Sequence, residues 1–201
     1  MRNGFYLLLF VLILLAWRNW ENRAIEHEPG VLVPETPRQT DPGEAAPFRV
    51  DGFVLTPRAD FRIRARVLSR ENYYWGDDAG RAPVDLALGW GVMSDQAVLD
   101  RIEITQGGRW YFTRYDYPAP LPDQDIIRHS GNMHMIPAND WVRDKLKSIR
   151  AGQLIQARGR LVDVDHESGF YWRTSLTRND TGGGSCELFY VEQIFIEDPD
   201  E

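Results

Sequence analysis

The sequence predicts an α+β, strand-rich domain: a small β-barrel with one main inserted helix, preceded by an N-terminal transmembrane helix. Three observations carry this. Phe61, Ile63, Ala65 and Val67 alternate with Arg62, Arg64 and Arg66, the period-two mark of a half-buried strand. Three further apolar stretches, Leu154 to Val164, Phe170 to Leu176 and Leu188 to Ile196, follow one another late in the chain. Between the early and late strands lies one well-formed amphipathic helix, Asn139 to Ile149, with Val142, Leu146 and Ile149 at i, i+4 and i+7 and Gly152 beyond its end.

Close to the N-terminus, after Arg2, lies Phe5 to Trp17, thirteen apolar residues without a charge. As a helix the run spans roughly 20 Å, and extending it from Met1 to Trp20 brings it close to the roughly 30 Å of a bilayer core. Trp17 and Trp20 then fall at interfacial depth. A cleaved signal needs small residues at −1 and −3. Ala16 has Leu14 two residues before it and Ala24 has Asn22, so residues 1–23 read as an uncleaved signal anchor. The expected location is a single pass through the inner membrane with the bulk of the chain exported.

Residues 24–47 change composition. Pro29, Pro34, Pro37, Pro42 and Pro47 recur among Glu26, Glu28, Glu35, Asp41 and Glu44. Prolines at this density prevent regular helix and the carboxylates favour water, so the segment reads as a stiff tether. Residues 48–201 read as one soluble β-rich domain.

Within it, Ser94 is expected to cap a short helix over Asp95 to Arg101. Ile102 to Thr105 and Arg109 to Tyr115, joined through Gln106-Gly107-Gly108, form a hairpin. Gly159 marks a bulge or bend in the long strand. Asn179 to Gly184 is a loop.

Composition narrows the function. The 201 residues are 43% hydrophobic, so the chain has a core and is not disordered. The formal charge is −7, and removing the first 23 residues leaves 20 basic against 29 acidic side chains. Nucleic acid is therefore disfavoured as a partner. A single cysteine, Cys186, excludes an intrachain disulfide, a CxxC zinc ribbon and a CxxC redox pair.

Two resemblances follow. Ala151-Gly152-Gln153-Leu154-Ile155-Gln156-Ala157-Arg158-Gly159, continuing as Arg160-Leu161-Val162-Asp163-Val164, resembles the long strands of OB domains and related Greek-key barrels. The segments Asp85 to Gly91, Arg128 to Asn139 and Ser175 to Gly182 resemble a family of uncharacterised proteobacterial proteins with an N-terminal membrane segment and one soluble domain. That family implies a source and a layout, but no activity and no site residues.

Four groups of residues are candidates for chemistry. His129 and His134, with Asp125 nearby, offer imidazole and carboxylate ligands for a metal or an acid–base pair. Their spacing of five does not place both rings on one helical face. The competing reading is that they hold an irregular loop by hydrogen bonds to the backbone. Cys186 is a nucleophile only with a base in reach, and is otherwise a small buried hydrophobe. Gly182-Gly183-Gly184-Ser185 lacks the Lys-Ser/Thr ending of a phosphate loop. Arg62, Arg64 and Arg66 share one strand face, flanked by Arg58 and Arg70, with Tyr73, Tyr74 and Trp75 beyond. That pattern offers charge plus stacking for an anionic polymer, or else a face of ordinary salt bridges.

The reading is a membrane-anchored, non-enzymatic interaction module for another component of the envelope. It touches the membrane through residues 5–17, has a protein partner there and needs no cofactor. The alternatives are a hydrolase centred on His129 and His134, and an OB-like module that grips an anionic polymer.

Overall fold

The computed structural model describes residues 6, 9, 10, 12, 13 and 23–197, apart from the side chains of Asp77 and Asp78. Most of the apolar run from Phe5 to Trp17 lies outside these residues. Its described members Tyr6, Leu9, Phe10, Leu12 and Ile13 are helical and exposed. Among the described residues no helix is long and apolar enough to cross a membrane.

Among the described residues ten strands and four short α-helices follow in order. They are β1 (Arg38–Thr40), β2 (Phe48–Val50), β3 (Phe53–Asn72), α1 (Asp77–Arg81), β4 (Val84–Gly89), α2 (Gln96–Leu99), β5 (Glu103–Gly107), β6 (Trp110–Arg114), α3 (Asp123–Arg128), β7 (Ser130–Pro137), α4 (Asp140–Ser148), β8 (Leu154–Asp165), β9 (Tyr171–Trp172) and β10 (Glu187–Ile196). Five of the strands close a ring, β3–β4–β7–β10–β8 and back to β3. Only the β7–β10 pairing in that ring is parallel.

β3 is twenty residues long, and it can pair with both β4 and β8 because it is bulged twice, at Pro57/Ala59 and at Val67/Ser69. Its alternation is the one expected: Ala59, Phe61, Ile63, Ala65 and Val67 point into the ring. There they meet Leu86, Leu88, Met133, Met135, Leu161, Phe189 and Val191. The Phe61 and Phe189 rings meet edge to face, 5.1 Å between centroids. α4 packs Val142 and Leu146 onto this core, and Asn139 caps it by accepting the Val142 N–H. Gly159 of β8 faces the bulge between Val191 and Gln193 of β10. A Cβ there would sit 2.0 Å from the Tyr190 carbonyl oxygen.

Several expectations are corrected. The irregular loop expected around His129 and His134 is instead the end of α3 followed by β7, an interior strand buried along nearly all its length. The predicted Phe170 to Leu176 strand shrinks to the two residues of β9. Within residues 24–47, part of the stretch from Ile25 to Thr40 is laid on the domain. The Ile25 N–H donates to the Ala151 carbonyl, and a Cβ on Gly152 would meet the Ile25 carbonyl at 2.0 Å. The Gly30 N–H donates to Asp95, and the Leu32 and Val33 N–H groups both donate to the Ser94 hydroxyl. Val33 is fully buried and β1 pairs with β3. Prolines exclude helix here, and the backbone N–H groups of Ile25, His27, Gly30, Leu32 and Val33 donate to the body of the domain. Ser94 is consequently not the helix cap. Asp95 is, accepting the Ala97 N–H at 2.9 Å.

Candidate functional site

β4 and β7 are neighbours in the ring, and alternation turns Asp85, Ser130, Asn132 and His134 to its outer side. Water does not cover that side; the β5–β6 hairpin does. The hairpin turns at Gly108 and Arg109, both at positive φ, the twist a two-residue hairpin turn needs. The left-handed conformation is unusual for an arginine, and contacts at the tip hold it. The Arg109 N–H donates to the Tyr73 hydroxyl, and its guanidinium lies 3.7 Å from the centre of the Tyr73 ring. Nη1 reaches Asp85 Oδ1 at 2.7 Å and the Ala82 carbonyl at 2.8 Å.

His134 completes this cluster. Its Nδ1 lies 2.9 Å from the same Asp85 oxygen, and its ring lies 4.5 Å from that of Trp172. His134 is 2% exposed and Asp85 fully buried, so neither side chain is open to solvent. Burial, with the Asp85 charge adding to it, pushes the Tyr73 hydroxyl up to about 12. Next along β7, Asn132 accepts from Gln106 and donates to the Arg109 carbonyl. Tyr111 and Ser130 hydroxyls meet at 3.0 Å. The outer face of β4–β7 is thus a polar layer whose partners come from the hairpin.

His129 and His134 are not one site. His129 ends α3, with Nδ1 2.8 Å from the Asp125 backbone carbonyl, and its ring packs on Gly91, where a Cβ would lie 2.6 Å from Cδ2. Asp125 serves it through that carbonyl. Cys186 is half-buried before β10, 3.7 Å from Asn132 Nδ2, and burial pushes its thiol up to about 11. A thiol held there is protonated at neutral pH. Among the described residues no three His, Cys, Asp or Glu side chains converge as a metal site.

At the mouth of the ring, above Cys186, lies a cleft of about 210 Å³ between β6, the start of β7 and the loop before β10. Glu187 forms its floor. Glu187 shares the inward register of Phe189 and Val191, and burial pushes its carboxyl up to about 7 against the opposing charge of Arg178. The Arg178 guanidinium lies over Phe61 and is tied to Gln39. The sequence signal for Glu187 was present: a carboxylate in the inward phase of an apolar strand.

The arginines of β3 divide. Arg66 is buried, donating to the Ser94 carbonyl and to Gln96. Arg64 forms a two-pronged pair with Glu197, both contacts 2.7 Å, and also donates to the Leu32 carbonyl. Arg62 is exposed and has no partner among the described residues. Trp75 is 91% exposed in the loop after β3 and stacks on nothing described. Arg38 and Arg158, neither singled out from the sequence, lie directly across from Arg62 on its two neighbouring strands.

No protein-family model, no curated protein and no solved structure matches the chain.

Proposed function

We propose that the chain is a binding module of OB type, held at the envelope face of a membrane by residues 5–17, with no catalytic role of its own. The observation that carries the reading is the ring order. Numbered along the chain, the ring strands close as first, second, third, fifth and fourth. The longest strand comes first, and α4 lies between the third and fourth. That order supports a small Greek-key barrel of OB type, a fold whose exposed strands and loops bind oligonucleotides and oligosaccharides.

Two further features support it. The imidazoles, the thiol and Asp85 are each engaged by the fold or shielded from a substrate, so the hydrolase reading has no geometry behind it. The backbone from Ile25 onward is laid onto the domain, so an anchor in residues 5–17 would seat the module close to the bilayer, not on a stalk. A likeness to envelope proteins of proteobacteria belongs to this same proposal.

Fractionation with sequencing of the mature N-terminus tests it. The chain is expected in the membrane with residues 5–17 intact and without bound metal. A soluble mature chain starting after Ala16 or Ala24 would remove the anchor. One equivalent of tightly bound metal, lost in His134→Asn, would move the protein to the hydrolase reading.

A further inference from the structure

We propose that the outer face of β1, β3 and β8 is a binding groove for a linear phosphate-bearing anion, gripped by Arg38, Arg62 and Arg158. The proposal deepens the binding-module reading and rests on it, but not on where the chain is located.

The register brings the three together. Arg38 lies opposite Arg62, Arg62 opposite Arg158, and Arg158 opposite Gln193. Neighbouring strands are about 4.8 Å apart, so three guanidinium stems stand in a straight row about 10 Å long. All three are exposed, and none has an acceptor or carboxylate partner among the described residues. Like charges directly opposite one another oppose strand pairing. Elsewhere on this face the same fold pairs its arginines: Arg64 with Glu197, Arg58 with Asp163, and Arg160 with Asp60 and Glu192. An acidic chain that keeps three adjacent arginines unpaired holds a site complementary to negative charge. Two hollows, of about 330 and 430 Å³, share these three residues as common wall and form the groove.

The shape selects the ligand. Guanidinium groups grip phosphate oxygens in two-pronged fashion, and a row of them matches closely spaced phosphoryl groups. Carboxylates rim the row on both sides, Asp60 and Glu192 on one and Glu35 and Glu197 on the other. A flat anionic bilayer pressed to this face would meet those carboxylates, whereas a narrow chain along the row touches arginine alone. A single-stranded nucleic acid is held by a succession of aromatic platforms, and the groove has one exposed ring among its described lining, Phe195.

Titration calorimetry of the full chain in non-ionic detergent with inorganic tripolyphosphate tests this. Saturable binding that weakens as salt rises is expected. Arg62→Gln and Arg158→Gln should each lower affinity roughly tenfold, the scale of one charge-assisted contact. Their melting temperatures should be unchanged or raised, because a like-charge contact is relieved, which separates loss of the site from loss of the fold. Arg49→Gln, whose arginine pairs with Glu167 outside the row, should bind as wild type. The proposal is overturned if tripolyphosphate does not bind, or binds the Arg62→Gln/Arg158→Gln double variant equally well. It is also overturned if phosphatidylglycerol vesicles bind through Arg62 while tripolyphosphate does not, or if a single-stranded oligonucleotide binds through the same arginines at least tenfold more tightly. A membrane-held chain that ignores tripolyphosphate would defeat this proposal and leave the anchored-module reading standing.

Discussion

Replacing Ser94 by Ala tests whether the N-terminal segment is part of the folded domain. The Ser94 hydroxyl is fully buried and makes three hydrogen bonds. It accepts the Leu32 N–H at 3.1 Å and the Val33 N–H at 3.0 Å, and it donates to the Gly91 carbonyl at 2.7 Å. Ala removes the hydroxyl, leaves all three backbone partners without it and adds no volume in its place. A buried polar group left unpaired costs about 1–3 kcal/mol. The Val33 amide is sealed from water, while the Leu32 amide is only partly buried and regains some hydration. The sum is about 3 kcal/mol. For a folded body of this size each kcal/mol moves the melting temperature by about 2–4 °C, so a fall of roughly 6–12 °C is expected. Differential scanning calorimetry reads it. Trypsin supplies the local signal: the bond after Arg38, protected in β1, should be cut faster in the variant than in wild type. A fall below about 2 °C with an unchanged cleavage rate would refute the lacing of residues 25–40 onto the ring.

Glu187 should make stability fall as pH rises through a defined window. Its folded pKa, about 7, lies above the unfolded value of 4.5, so the folded chain holds the extra proton between those two pH values. Stability from this group is full below about pH 4.5 and is lost as pH climbs to 7, a change of order 3 kcal/mol. Denaturant titrations should show that slope in wild type and lose it in Glu187→Gln, and an unaltered slope in the variant would count against the assignment. Gly159→Ala should cost about 3 kcal/mol, the upper end for overpacking, because its Cβ would meet backbone, not a yielding side chain, and β10 must shift to admit it. Wild-type stability in that variant would mean β8 and β10 are not in this register.

How much of the molecule was legible depended on which faces are buried and by what. β3 around Phe61, β8, β10, the hairpin and α4 could be read locally. Each buries one side against the ring and leaves the other to water or charge, so polarity alternates with the backbone period. β4 and β7 could not be read that way. Both sides of each are buried, the inner by the ring core and the outer by the hairpin and Trp172. Their polar residues Asp85, Asn132 and His134 therefore sit inside, and no alternation of polarity marks the strands. The prolines of residues 24–47 excluded helix, but nothing local says whether an extended chain lies in water or on a protein surface. That is decided by acceptors such as Ser94 and Asp95, more than fifty residues away.

The arginine row shows the division most directly. Alternation along β3 placed Arg62, Arg64 and Arg66 on one face, and they are on one face. Their fates differ because Glu197, Leu32 and the Ser94–Gln96 turn are brought to two of them and not to the third. Arg38 and Arg158 join Arg62 only through strand register. The sequence by itself determined the period of each strand, and hence which side of it a residue takes. The tertiary structure alone decided which strands are neighbours and at what offset, because pairing energy comes from residues far apart in the chain and a one-residue slip would turn every side chain to the opposite face.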